Sequence, residues 1–174
     1  MTERILNVGC GSDQYGTDRI DMTKTDATTM VADLENNWPY DDNTFDQVHC
    51  RCIIEHIRNL KNFTNECYRV LRPGGRLYIR TDYAGYLPLY LFKSHEHNQA
   101  LAVQYSGGVG FGHTDSEDSH YHLFVESHLD RLFKKFNDKQ YTYVYGGRNK
   151  IITFLLKLLP KKLGAVHIEL IATK

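Results

Sequence analysis

Short apolar runs separated by turn formers dominate the first half of the chain, and that pattern predicts strands. Ile5-Leu6-Asn7-Val8 reads as a buried first strand running straight into Gly9-Cys10-Gly11-Ser12. Arg19 to Met22 predicts a short second strand ending near Asp21, and Thr28 to Leu34 a third, again with a carboxylate, Asp33, near its end. Phe45 to Arg51 predicts a fourth. The period then changes: Leu60, Phe63, Cys67, Tyr68 and Leu71 recur at helical spacing. Arg72-Pro73-Gly74-Gly75 is expected to stop that helix, because proline blocks continuation and glycine accepts positive φ. Arg76 to Thr81 predicts the fifth strand.

The second half is less regular. Leu87 to Tyr105 predicts a helix, and Gly107-Gly108-Val109-Gly110-Phe111-Gly112 a loop, either a plain surface loop or a lid over a site. Glu126 to Phe136 reads as an amphipathic helix with Leu129, Leu132, Phe133 and Phe136 on one face. Gln140 to Tyr145 and Ala165 to Ala172 alternate like strands. Between them, Ile151 to Leu163 is apolar with a lysine-rich end. It is expected to pack on the sheet, since so short a chain needs that area for its core; a helix lying on a membrane surface is the alternative. Strands alternating with helical or loop crossovers imply an α/β, doubly wound, mostly parallel sheet. Only ten residues separate Val8 from Arg19, fewer than the dozen or so a parallel crossover usually takes. The first crossover is therefore expected to lack its helix.

At 174 residues the chain is expected to be one domain. Lys plus Arg and Asp plus Glu are 21 each, so no basic excess announces a nucleic-acid surface. No apolar run approaches the ~20 residues of a membrane span. The first strand begins too near Met1 for a signal peptide, and Cys10, Cys50, Cys52 and Cys67 read as free thiols, so a cytoplasmic location is expected. A protein partner or a second copy of the chain is left open.

The chemistry begins at Gly9-x-Gly11. Two glycines one residue apart let the backbone pass close to a ligand, at the point where ligands bind in open parallel sheets. Carboxylates at the end of a second strand commonly accept hydrogen bonds from ribose hydroxyls, which makes Asp21 a candidate. A nicotinamide-dependent dehydrogenase shares these features. Here no third glycine follows two residues on and no helix opens there, so a pyrophosphate would lack its helix N-terminus.

Five pieces stand in order over residues 5 to 83: Leu6-Asn7-Val8-Gly9-Cys10-Gly11, Ala32-Asp33-Leu34-Glu35, Trp38-Pro39-Tyr40-Asp41-Asp42-Asn43-Thr44-Phe45-Asp46, Ile54-Glu55-His56-Ile57, and Tyr68-Arg69-Val70-Leu71-Arg72-Pro73-Gly74-Gly75. Together they resemble the class I S-adenosylmethionine-dependent methyltransferases, in particular the small Methyltransf_11-like type. A fainter likeness continues through His122-Leu123-Phe124 and Glu126-Ser127-His128-Leu129. The resemblance implies a Rossmann-like, seven-stranded sheet with an antiparallel last strand. It also implies S-adenosylmethionine as cofactor and methyl transfer to a small-molecule acceptor. By the same resemblance Gly9, Cys10 and Gly11 would lie under the methionine portion. Asp21, with Met22 beside it, would hold the ribose. Asp33 and the Leu34 backbone would read the adenine edge, and Arg51 and Cys52 would line the other side. The short first crossover departs from the family pattern and keeps a second reading in play, a methyltransferase-like subunit with weak or no catalysis.

A general base is needed only where the acceptor is protonated at neutral pH, as a hydroxyl or an ammonium is. Histidines are the natural candidates among the nine present. His56 follows the fourth strand and would face the acceptor or orient the next helix; His113 would reach it through closure of the glycine-rich loop. Asp82 and Tyr83, at the end of the fifth strand, would line the acceptor pocket. The crowd of His113, Asp115, Glu117, Asp118, His120 and His122 lacks a recognised ligand spacing and reads as a solvated acidic turn, with no metal expected.

Overall fold

The computed structural model describes residues 2–86, 120–145 and 150–174. Its strands are β1 (Ile5–Val8), β2 (Asp18–Asp21), β3 (Met30–Val31), β4 (Phe45–Arg51), β5 (Leu71–Asp82), β6 (Asn137–Val144) and β7 (His167–Thr173). They form one sheet in the order β3-β2-β1-β4-β5-β7-β6. The first five run parallel, while β7 is antiparallel to both β5 and β6. The chain winds outward from β1 to β3 and then returns to β4 on the other side. The strand order thus reverses at β1, and the crevice beyond the carboxyl end of that strand is where such sheets bind ligands.

Alternation along the strands builds the core. Leu6, Val8, Val48, Cys50, Leu77, Ile79, Ile168, Leu170 and Ala172 share one face and are fully buried. Helix α1 (Leu60–Val70) covers them with Phe63, Cys67 and Val70, helped by α2 (Glu126–Leu132) through Leu129. Asn59 caps α1, its side-chain oxygen accepting the Asn62 N–H at 3.1 Å. The opposite face is polar: Asn7, His49 and Tyr78 lie in register across β1, β4 and β5. Tyr15, from the helix-free first crossover, packs on His49 at 4.6 Å, and His49 stacks on Tyr78 at 4.4 Å.

Several expected boundaries move. β2 starts and stops one residue early because Asp21 turns the chain, its Oδ1 accepting the Thr23 N–H. The third strand keeps only Met30 and Val31, both exposed at the sheet edge. Thr25 and Thr28 instead fold residues 23–28 into a turn held by their hydroxyls. Arg72–Gly75 does end α1, but it lies inside β5 as a bulge. Phe45 faces Leu71, Gln47 faces Arg76, and Gly74 takes φ +76°. Lys174 seals the bulge through backbone bonds to Gly74 and Gly75. α2 ends at Leu132, and the following turn carries Phe133 and Phe136 into the core. β6 starts at Asn137, three residues early and across a bulge, and β7 spans His167–Thr173. The 151–163 segment is two helices, α3 (Lys150–Lys157) and α4 (Lys161–Gly164), divided at Pro160. Much of its apolar surface faces outward, against the expectation that it packs on the sheet. The expected helix at 87–105 and the glycine run at 107–112 lie outside the described residues.

One polar clamp ties α1 to the loop before β4. Glu66, 4% exposed, accepts the Trp38 N–H at 2.7 Å. Arg69 donates to both Glu66 oxygens at 2.8 and 2.7 Å, to the carbonyls of Trp38 and Tyr40, and to Asp42. Removing one partner of a buried pair leaves the other uncompensated. Glu66→Ala is therefore expected to lower unfolding free energy by about 3 kcal/mol in urea titrations. Asp42→Ala, at a 69% exposed carboxylate, should lower it by less than about 1 kcal/mol. Equal losses would show that the clamp is not centred on Glu66.

Candidate active site

The carboxyl ends of β1, β2 and β4 converge. Gly9 takes φ +67° and donates its N–H to Ile20 O at 2.9 Å. A side chain there would start 2.5 Å from Ile53 Cγ1, so only glycine fits. Gly11, at φ +51°, has nothing within 4 Å of where a Cβ would stand, leaving its backbone open to a close ligand. Asp21 braces this turn, its Oδ2 accepting the Gly11 N–H at 2.8 Å. Cys10 is buried with its sulfur 3.8 Å from the Thr28 hydroxyl, so it offers backbone rather than thiol.

The other expected residues sit around this nucleus. Met22 is exposed beside Asp21. Asp33 follows β3, its carboxylate accepting the Glu35 N–H and an Asn36 amide hydrogen, while the Leu34 side chain is sealed in the core. Arg51 ends β4 with Asp13 3.9 Å away. Cys52 follows in the left-handed region at φ +52°, its N–H donating to Arg80 O. The Gly11 backbone, with no side chain over it, the Asp21 carboxylate and the β4 exit converge, and together they could hold a nucleoside carrying an amino-acid tail. A groove of about 460 Å³ lined by Arg4, Trp38, Tyr40 and Thr44 lies by the opposite strand ends and touches none of these residues.

Across from the glycine turn, β4 leaves through Ile53 into a short 3₁₀ turn, Ile54–His56. Its Glu55 is buried and accepts the Thr81 hydroxyl at 2.8 Å, while its carbonyl accepts the Tyr121 N–H at 2.7 Å. At the end of β5, Asp82 lies 3.2 Å from His120 Nδ1 through one oxygen and 3.4 Å from His167 Nε2 through the other. His56 packs edge-on against His120 at 4.5 Å between ring centres. Burial pushes Asp82 up, but His120, His167 and His56 outweigh it and hold the carboxyl below its ordinary range. Burial lowers His167, opposed by Asp82. Burial is also the largest influence on Glu55, whose carboxyl rises to about 7 with the help of the Asp82 charge.

The sequence singles out Asp82 and His56, which the structure brings into one neighbourhood, but not Glu55 or His167, and His120 reads there as part of a solvated turn. Glu55 had a signal, a lone acid inside Ile53-Ile54-Glu55-His56-Ile57. His120 and His167 had none, since only the fold brings residues so far apart to Asp82. His113 lies outside the described residues.

Residues 10–79 match the family model described as Methyltransferase domain. Over that stretch, less than half of its length, the chain is similar to methyltransferase domains. Ubiquinone biosynthesis O-methyltransferase, mitochondrial, from Rattus norvegicus is 41% identical over 51 residues, covering 29% of this chain. The match spans only 15% of that curated relative's length. A SAM-dependent methyltransferase from Thermotoga maritima superposes with a TM-score of 0.70 at 14% identity, covering 100% of this chain and 83% of that one. Phosphoethanolamine N-methyltransferase 2 from Haemonchus contortus, in complex with S-adenosyl-L-methionine, gives 0.65 at 18%, covering 100% of this chain and 49% of that one. Both structures share the fold of this chain.

The raised Glu55 carboxyl gives a signed pH dependence. In the unfolded chain it ionises near 4.5, so its favourable contribution to folding is complete below that pH. It is lost as pH rises through about 7. Glu55→Gln stays neutral throughout. The Tm advantage of the variant over wild type should therefore grow from pH 4.5 and level off above about 7 in thermal melts. A difference constant with pH would mean that Glu55 ionises normally in the folded protein.

Proposed function

We propose that this protein methylates a hydroxyl of a small-molecule acceptor, with His120 as general base. The observation that carries this reading is the Asp82 carboxylate set between His120 and His167, beside the exits of β4 and β5. S-adenosylmethionine, when bound, supplies a methyl group on a sulfonium that is already a good leaving group. Gly9, Gly11 and Asp21 would hold its amino-acid and ribose portions, with Met22 beside the ribose. Asp33 and Leu34 would hold its base, and Arg51 and Cys52 would border its far side.

The remaining work is positioning and proton removal. Asp82 at His120 Nδ1 would hold the proton on that nitrogen, so that Nε2 is the atom that takes the hydroxyl proton. Asp82 then stabilises the imidazolium that forms. His56, against the His120 ring, fixes its plane. The name of the rat relative supports a hydroxyl acceptor, and that of the Haemonchus enzyme makes an amine the second choice to assay. A dehydrogenase is disfavoured because residues 9–17 contain no helix to receive a pyrophosphate. The exposed free thiol of Cys52 fits a reducing, cytoplasmic setting.

S-adenosylmethionine and its demethylated product should each raise Tm and give calorimetric heat, while NADH should do neither. Asp21→Ala should weaken that binding by roughly 1–3 kcal/mol, as loss of a buried hydrogen-bond partner does. Absence of binding by both sulfur compounds overturns the cofactor assignment, and wild-type affinity in Asp21→Ala overturns the role given to Asp21.

Against a panel of phenols, catechols and amines, release of the demethylated product measures turnover. His120→Ala and Asp82→Asn should lower kcat by ~10²–10⁴ while leaving the cofactor Kd within about twofold. The acidic limb of the kcat–pH profile should be lost in His120→Ala. A cofactor that binds with no turnover on any acceptor would instead favour the non-catalytic subunit, for which the missing first helix argues.

A further inference from the structure

We propose that the arm formed by α3 and α4 docks this protein on an anionic lipid surface. Ile151, Phe154, Leu155 and Leu158 are 72, 63, 54 and 69% exposed. Their spacing of three, one and three residues places them on one helical face. The apolar stripe of an amphipathic helix ordinarily turns toward the core, yet here it turns away, while Leu156 on another face is 6% exposed. Leu163 on α4, 40% exposed, extends the patch. Contiguous apolar surface of this kind marks an interaction site.

Charge selects the partner. Residues 150–164 contain four lysines, at 150, 157, 161 and 162, and no acidic residue, although the chain as a whole is neutral. Lys157 and Lys161 are exposed beside the apolar stripe, and Lys162 pairs with Glu126 at 2.7 Å. A second copy would meet this patch with the same patch, setting lysines against lysines. A bilayer with negative headgroups satisfies both parts: the apolar side chains enter the acyl boundary and the lysines stay among the headgroups. Among the described residues no helix is long and apolar enough to cross a membrane, so the contact is peripheral.

The arm is fixed beside the candidate active site. Glu126, which holds Lys162, also accepts the hydroxyls of Tyr143 and Tyr83, and Tyr83 follows Asp82 directly. The chain leaving α4 reaches Val166, whose carbonyl accepts the Tyr83 N–H at 2.9 Å. Docking would therefore bring the β5 end of the site toward the lipid.

Co-sedimentation of the full chain with phosphatidylcholine vesicles, with and without phosphatidylglycerol, tests this without cofactor or turnover. Its failure is thereby distinguishable from failure of the methyl-transfer reading. Binding should be at least about tenfold tighter on the anionic vesicles and weaken with salt. Leu158→Asp and Phe154→Asp should each reduce it at least about tenfold. Lys157→Glu combined with Lys161→Glu should remove the preference for phosphatidylglycerol. Unchanged Tm and cofactor binding in these variants would show that the fold is intact. No binding to anionic vesicles, or binding insensitive to Leu158→Asp, overturns the proposal. So does a dimer in analytical ultracentrifugation that Leu158→Asp dissociates, which would assign the face to a second copy.

Discussion

The contact between Gly9 and Ile53 fixes how far apart the two sides of the site can stand. β1 must end in a left-handed residue to turn under a ligand, and β4 must leave at the same level to reach the 3₁₀ turn of Glu55. A Cβ on residue 9 would overlap Ile53, so the two exits come this close only because residue 9 has no side chain. From that point two chains of contact run outward. One passes through Gly11 and Asp21 to β2 and the candidate cofactor site. The other passes through Ile53 and Glu55 to Tyr121, which sets the adjoining His120 opposite Asp82.

At the ends of β4 and β5, two carboxyls in one neighbourhood have their ionisation driven apart by their surroundings. Glu55 is sealed away with one hydroxyl donor, so burial dominates and favours its neutral form. Asp82 is more open and faces three histidines, so it stays ionised. Had both ionised, the two like charges would have repelled each other. Below about pH 7 Glu55 is mostly neutral, and the Asp82 charge alone would orient the imidazole and balance it on protonation. This is the usual way in which neighbouring carboxyls acquire different roles.

Local chemistry was readable in the chain where it depended on adjacent residues. Gly9-x-Gly11 and the carboxylate at Asp21 stood where expected because a strand end, a turn and a short next strand are all local events. The third strand shrank because the Thr25 and Thr28 hydroxyls offered the backbone a turn in place of a ladder, a competition that propensity alone does not resolve. The bulge at Arg72–Gly75 depended on Lys174, about a hundred residues away in sequence. The same distance hid the Asp82–His167 contact. The outward stripe on α3 was hidden for another reason: periodicity reveals that a helix has an apolar face, but not whether the protein or something else covers it.

The missing first helix would change how a ligand at the β1 end is held, not where. Where a helix follows β1, its N-terminus supplies several oriented N–H groups and a partial positive charge. Here residues 9–17 supply Gly9 and Gly11 in left-handed conformations, and Asp21 would supply the polar anchor. That anchor is already held before any ligand arrives, because Oδ2 accepts the Gly11 N–H and Oδ1 accepts the Thr23 N–H. Each oxygen retains a lone pair for a ribose hydroxyl. A carboxylate fixed in this way loses little freedom on binding, and such preorganisation offsets part of what the absent helix would have contributed. The short crossover is therefore compatible with cofactor binding, and Tyr15 shows what else it does: it is the residue that packs over His49 on the polar face of the sheet.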